Sequence, residues 1–287
     1  MSPLGLIAGG GGLPLALAKH CLETGRGVFV IRIKGAAESD LTAFPGVELG
    51  LGELGSAFHA LHGAGCDAVC LAGTVSRPRF SDLRPDARGV AALPGALRAA
   101  ARGDDALLTF LLGEFEREGF AVEGADSVFG ELMLPVGVLG LHKPRDEDRA
   151  DIERALEAAR AIGALDIGQG AVACRGLVLA LEAQEGTDAM LSRVATLPEA
   201  VRGTDRRPMG VLAKACKPKQ DRRVDLPSLG PATVRGALAA HLAGIVAEAG
   251  AALVLDLAET VRLADESGLF IVGVDPLAVS GADRAEV

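Results

Sequence analysis

A short apolar strand that empties into four consecutive glycines and then a helix, the run LGLIAGGGGLP at residues 4–14, restricts this chain more than any other feature. Residues without Cβ let backbone N–H groups approach a single point, and at a helix N-terminus that point favours an anion. A tight strand-to-helix turn needs one or two glycines, so four in a row point to close ligand contact at Gly10, Gly11 and Gly12. Leu4–Ala8, Val28–Ile33 and Ala68–Ala72 are short and apolar, as parallel strands covered on both faces must be. Helical patterns over residues 13–23 and 53–62 alternate with them. The alternation predicts an N-terminal Rossmann-like, doubly wound α/β domain whose ligands sit beyond the carboxyl ends of the strands. Helices near 89–101 and 104–118 and a strand-like 120–122 complete it.

At 287 residues the chain is long for one core and comfortable for two. From Gly130 the run GELMLPVGVLGLHKP mixes glycine and proline with apolar residues and reads as a crossover. The expected domains are therefore 1–132 and 133–287, the second a mixed α/β domain, with the ligand between the two. Its opening helix, 146–162, lines up Ile152, Leu156, Ala159 and Ile162 in one stripe. Strands at 170–174 and 177–182 follow, joined by Arg175-Gly176 as a two-residue hairpin turn. Further strands are expected at 209–214, 252–256 and 269–274, with helices at 188–197, 232–243 and 258–266.

A formal charge of −9 argues against nucleic-acid binding, which needs a basic face. No apolar run reaches the roughly 20 residues that span a bilayer, and the N-terminus has no secretory pattern, so a cytoplasmic protein is expected. Cys21, Cys66, Cys70, Cys174 and Cys216 have no framework spacing and suit reduced, buried thiols. His59, His62 and Cys66 would share a helix face only if the helix continued, and Gly63 with Gly65 ends it first.

The stretch VLAKACKPKQDRRVDLPSLG, residues 211–230, sets Lys214, Lys217, Arg222 and Arg223 ahead of one isolated carboxylate, Asp225. Those cations suit phosphate oxygens, and Asp225 suits a metal or a water. Asp221 and Asp225 lie roughly 13 Å apart on an extended chain and cannot share an ion unless the loop bends back. Thr74 and Arg77, in GTVSRP, leave the end of a strand and suit a nucleotide or pyrophosphate; a capped turn before proline serves equally. Gln169, in DIGQGAV, and Thr187 and Asp188, in LEAQEGTD, are polar groups at strand ends, although Thr187 could cap the helix that follows. Against a dinucleotide site, no glycine stands at the helix-packing position and no acid ends the second strand, where Arg32 and Lys34 stand.

These motifs, LGLIAGGGGLP, GTVSRP, DIGQGAV, LEAQEGTDAML, VLAKACKPKQDRRVDLPSLG and the closing FIVGVDP, in this order resemble the UDP-2,3-diacylglucosamine pyrophosphatases of the LpxI type. The resemblance implies an enzyme of lipid A biosynthesis that hydrolyses the pyrophosphate of UDP-2,3-diacylglucosamine to UMP and 2,3-diacylglucosamine 1-phosphate (lipid X). It also implies Mg²⁺ dependence and two domains with the glycolipid held between them. Asp225 matches the family's catalytic aspartate within VDLP and is the candidate Mg²⁺ ligand. Gly10, Gly11, Gly12 and Thr74 are then expected at the nucleotide or phosphates. Gln169, Thr187, Asp188 and Lys214 are expected to contribute from the other domain. Such an amphipathic substrate implies transient contact with the inner face of the cytoplasmic membrane; a homo-oligomer is left open. The rivals are a nucleotide-sugar or dinucleotide-binding oxidoreductase built on the N-terminal domain, and a lipid-binding protein without catalysis.

Overall fold

A computed structural model describes residues 1–76, 79–218, 221, 223 and 226–275. The chain divides into two units, Met1–Glu131 with Asp221–Asp225, and Leu132–Gln220 with Leu226–Val287.

In the first unit, β1 (Leu4–Ala8), α1 (Gly12–Glu23), β2 (Val28–Ile33) and β3 (Gly46–Leu49) are followed by α2 (Leu54–Gly63) and β4 (Ala68–Ala72). Then come α3 (Ala87–Ala100), α4 (Asp104–Arg117), β5 (Ala121–Val122) and α5 (Ala125–Val128). All five strands are parallel, in the order β3-β2-β1-β4-β5. The order reverses at β1: its first crossover leads to β2 on one side, whereas β4 returns on the other. The loops leaving β1 and β4 thus open a crevice at the carboxyl edge, where such sheets bind ligands. One face of the sheet packs Ile31, Ile33 and Val69 against Phe58, Leu61, Phe115 and Phe120. Gly46 carries β3 because the carbonyl of Val30 occupies the space a Cβ would need.

One carboxylate starts two helices. Asp86 caps α3 by accepting from Gly89 N (2.9 Å), and its other oxygen accepts from Ser56 N (2.9 Å) and Ser56 Oγ (3.2 Å) in the first turn of α2. Burial alone would raise its pKa, but the N–H groups of Gly89, Ser56 and Gly55 outweigh it and hold the carboxyl below its ordinary range. A depressed carboxylate stabilises the fold above its unfolded pKa of about 4, and that contribution disappears as pH falls through the lower folded value. Asp86→Ala should therefore cost about 1–2 kcal/mol at pH 7. Urea midpoints for the two proteins should converge in strong acid; a variant as stable as the parent at pH 7 would refute the double cap.

The second unit comprises β6 (Gly137–Leu139), α6 (Arg149–Ala164), β7 (Gly170–Cys174), β8 (Leu177–Leu181), α7 (Gly186–Ala195) and β9 (Val211–Lys214). It continues through β10 (Ser228–Leu229), α8 (Pro231–Ala239), β11 (Gly244–Glu248), β12 (Leu253–Val254), α9 (Leu257–Ser267) and β13 (Phe270–Val274). Its main sheet is mixed, β6-β13-β11-β9-β7-β8, with β9, β11 and β13 parallel. On one face Ala155, Leu156 and Ala159 of α6 meet Ala171, Val211 and Val246; on the other, Met190, Leu191, Val194, Val234 and Ala264 of α7, α8 and α9 meet Leu212 and Ile245. Both residues of the β7–β8 turn, Arg175 and Gly176, have positive φ, as two-residue hairpins favour. Buried Asp151 accepts from their N–H groups at 3.0 and 2.7 Å.

The central strand β11 corrects the sequence reading, which runs a helix to residue 243 and sets a strand at 252–256. Helix α8 stops at Ala239, GIVAE forms β11, and the later stretch supplies only β12, paired with β10 in a separate two-stranded sheet. A short apolar run a few residues behind a helix has no period of its own, and only pairing with β9 and β13 makes it a strand.

Cys21, Cys66, Cys70 and Cys174 are buried, and Cys216 is partly exposed. Burial pushes the Cys70 thiol up to about 12 and that of Cys174 to about 11. A thiol reagent at pH 8 should therefore modify Cys216 at most in the native protein and all five after denaturation, because the thiolate is the nucleophile. Rapid native labelling of two or more cysteines would contradict this burial. Among the described residues no helix is long and apolar enough to cross a membrane.

Candidate active site

The loops leaving β1 and β4 are stitched together: Gly10 N donates to Thr74 O at 2.8 Å and Thr74 N to Gly10 O at 2.9 Å. Gly9 makes this approach possible, since a Cβ there would stand 2.5 Å from the Thr74 carbonyl oxygen. Gly11, with φ of 84°, turns the chain into α1 as its N-cap, a conformation that L side chains rarely adopt. Around this junction lies a cavity of about 340 Å³, lined by Gly10, Gly11, Lys34, Glu38, Thr74 and Ser76 among others. Four strand ends contribute to it, those of β1, β2, β3 and β4. Of the expected phosphate loop, Gly10, Gly11 and Thr74 line the cavity. Gly12 is the first residue of α1, with open space at its Cβ position. Arg77 lies outside the described residues.

Glu38 is the cavity residue the sequence reading misses. It follows β2 beyond a turn at Gly35, and its Oε1 accepts from Gly11 N at 3.3 Å. An acid directly ending β2 is what a dinucleotide motif leads one to seek; here the acid arrives after a turn, and periodicity carries no trace of it.

In the second unit the expected residues gather at the carboxyl edge of β9. Lys214, buried, ends that strand and donates from Nζ to Ser228 O at 2.7 Å. Gly170 pairs with Lys214 across the sheet, placing Gln169 beside it, and Glu182 N donates to Gly170 O at 2.9 Å. Glu182 is 94% buried (6% exposed); its Oε1 accepts from Thr187 Oγ1 at 2.8 Å, and its Oε2, like Gln169 Oε1, is buried with no hydrogen-bond partner among the described residues. Thr187 therefore does not cap α7, whose N-cap is Glu185; it lies inside the first turn and its hydroxyl serves Glu182. Asp188 is exposed in the same turn. Two buried acceptors without donors suit a ligand that brings N–H or O–H groups.

Glu248, at the end of β11, clamps the start of the loop beyond β9. Arg160 of α6 donates to its Oε1 at 2.8 Å and Cys216 N to its Oε2 at 3.0 Å. Two further cations of the basic stretch, Lys217 and Arg223, are engaged by carboxylates. Lys217 Nζ donates to Asp166 Oδ1 at 2.8 Å. Arg223, in the first unit, is held by Asp221 (2.7 Å) and Glu116 (2.8 Å), an arrangement that raises the guanidinium pKa and lowers that of Asp221 through the Arg223 hydrogen bond. Asp225 and Arg222 lie outside the described residues. Among the described residues no three His, Cys, Asp or Glu side chains converge as a metal site.

A glycine-lined cavity at the reversal point of a parallel sheet, followed by a mixed-sheet unit with a buried lysine at its own strand edge, defines a two-unit α/β protein. Residues 3–132 match the LpxI N-terminal domain and residues 135–272 the LpxI C-terminal domain. The UDP-2,3-diacylglucosamine pyrophosphatase LpxI of Caulobacter vibrioides is 58% identical over 276 residues, 96% of this chain and 99% of that protein. The chain belongs to the LpxI family.

Proposed function

We propose that this protein is a UDP-2,3-diacylglucosamine pyrophosphatase that releases UMP and 2,3-diacylglucosamine 1-phosphate (lipid X) in lipid A biosynthesis, with Mg²⁺. The observation that carries the reading is 58% identity, from end to end, to a relative of that activity. The geometry supports it. The cavity at Gly10, Gly11 and Thr74 suits the nucleotide, because the N-terminus of α1 beside it favours an anion such as phosphate. Lys214 offsets charge that builds on phosphate oxygens in the transition state. Gln169 and Glu182 offer unpaired acceptors to the hydroxyl and amide groups of the acylated sugar.

Asp225, by its place in VDLP, orients the attacking water or ligates the metal. Mg²⁺ takes oxygen ligands and is commonly held by one or two carboxylates plus substrate phosphates, so a single aspartate with a pyrophosphate fits its preferences. Bound there, it would supply charge neutralisation and polarise phosphorus.

Incubation of the purified chain with UDP-2,3-diacylglucosamine in ¹⁸O water tests the reading. Equal amounts of UMP and the sugar 1-phosphate are expected with Mg²⁺ and neither with excess chelator, the label reporting which phosphorus is attacked. Intact substrate after prolonged incubation with Mg²⁺ would refute it in favour of a lipid-binding protein.

A further inference from the structure

Glu38 presents a chemical problem in the N-terminal cavity. Its carboxylate accepts from the N–H of Gly11, a donor that a bound phosphate would be expected to use. A carboxylate beside a phosphate is repelled, and an ionised one accepts hydrogen bonds without donating any. What it can meet in a nucleotide is therefore a neutral donor. The existing contact is weak enough to yield: Glu38 is exposed and 3.3 Å lies beyond the usual N–H···O range.

The position of Glu38 selects among the donors of a uridine nucleotide. These are the two ribose hydroxyls and the imide N–H of the base. The ribose is bonded directly to the phosphate, and the base lies on its far side. A carboxylate that already touches the phosphate cradle is placed for the sugar. Glu38 also comes from the segment after β2, the neighbour of β1, with Lys34 and Ala36 of that segment lining the same cavity. In sheets of this kind an acid from the end of the second strand, about 20 residues past the glycine loop, holds the ribose hydroxyl. Glu38 lies 27 residues past Gly11, the extra length being the turn beyond β2.

We infer that Glu38 is a specificity-determining residue that accepts hydrogen bonds from the 2′- and 3′-hydroxyls of the ribose, selecting ribonucleotide over deoxyribonucleotide substrates. The inference rests on the reading that the N-terminal cavity holds the nucleotide. The acid that dinucleotide enzymes turn on adenosine would here be turned on uridine.

Calorimetric titration of the full chain and of Glu38→Ala with UDP, 2′-deoxy-UDP and 3′-deoxy-UDP tests it, with thermal melts as a check on folding. The parent should prefer UDP by about tenfold or more over at least one deoxy analogue, the worth of a hydrogen bond to a charged group. In Glu38→Ala that preference should fall to near unity, mainly through weaker UDP binding. An undiminished preference in the variant overturns the inference. So does a uniform gain in affinity for all three ligands, which would make Glu38 only an anion obstructing the cradle. Equal binding of the three ligands to the parent also removes the ribose role while leaving the nucleotide reading intact. No UDP binding to the parent overturns both.

Discussion

Asp225→Asn should lower kcat about 10²- to 10⁴-fold while leaving the affinity for intact substrate within a few-fold, the range spanned by a positioned acid–base group. Asparagine nearly preserves the volume of aspartate and removes its charge. A group that acts on the attacking water or on the metal is felt in the transition state, so its loss falls on kcat and not on ground-state binding. Steady-state kinetics with a separate binding measurement on the same variant decide the matter. Full turnover in Asp225→Asn removes the residue from catalysis. A loss confined to KM makes it a binding group.

Gly9→Val should destabilise the N-terminal unit by about 3 kcal/mol, at the upper end of what overpacking costs, and abolish UDP binding. The Cβ would stand 2.5 Å from the Thr74 carbonyl oxygen and 3.0 Å from the Gly73 carbonyl carbon, both backbone atoms that no rotamer change can move. Relief requires parting the loops of β1 and β4, which breaks the Gly10–Thr74 hydrogen bonds and opens the cavity floor. Gly12→Ala is the internal control. Its Cβ meets nothing within 4 Å and its φ is not positive, so stability should change by no more than about 1 kcal/mol, in the favourable direction. Thermal melts of both variants, with UDP titrations, separate the two cases; equal stability would mean that the glycine run is a loose loop.

The two substitutions divide the chain's information in different ways. Asp225 was identifiable because VDLP and the basic stretch before it are contiguous. The role proposed for it rests on local sequence and on family resemblance, and it lies outside the described residues. Gly9 was legible only as one of four similar glycines. The fold distinguishes them: Gly9 packs against a facing backbone, Gly11 supplies a positive φ, and Gly12 merely starts a helix.

The same division runs through the architecture. β1, β2 and β4 could be read from sequence because strands buried on both faces are continuous apolar runs, and the β7–β8 hairpin because Arg175-Gly176 satisfies a two-residue turn. β11 could not, since GIVAE does not alternate, and its opening Gly244 signals a helix end without indicating that a strand follows.

What the sequence by itself determined, then, is the local inventory: apolar runs, glycine turns, the N-terminal α/β alternation, and the basic stretch ending in Asp225. Backbone preference and side-chain period act over a few residues and leave their marks there. The tertiary structure alone decided which charges are already engaged and which groups face one another. Lys217 meets Asp166 across 51 residues, Arg223 meets Glu116 across 107, and Glu38 reaches Gly11 across 27. Electrostatic and hydrogen-bond partners are chosen by distance in space, and no short-range pattern records which distant segment the fold will bring within 3 Å or so of a given side chain.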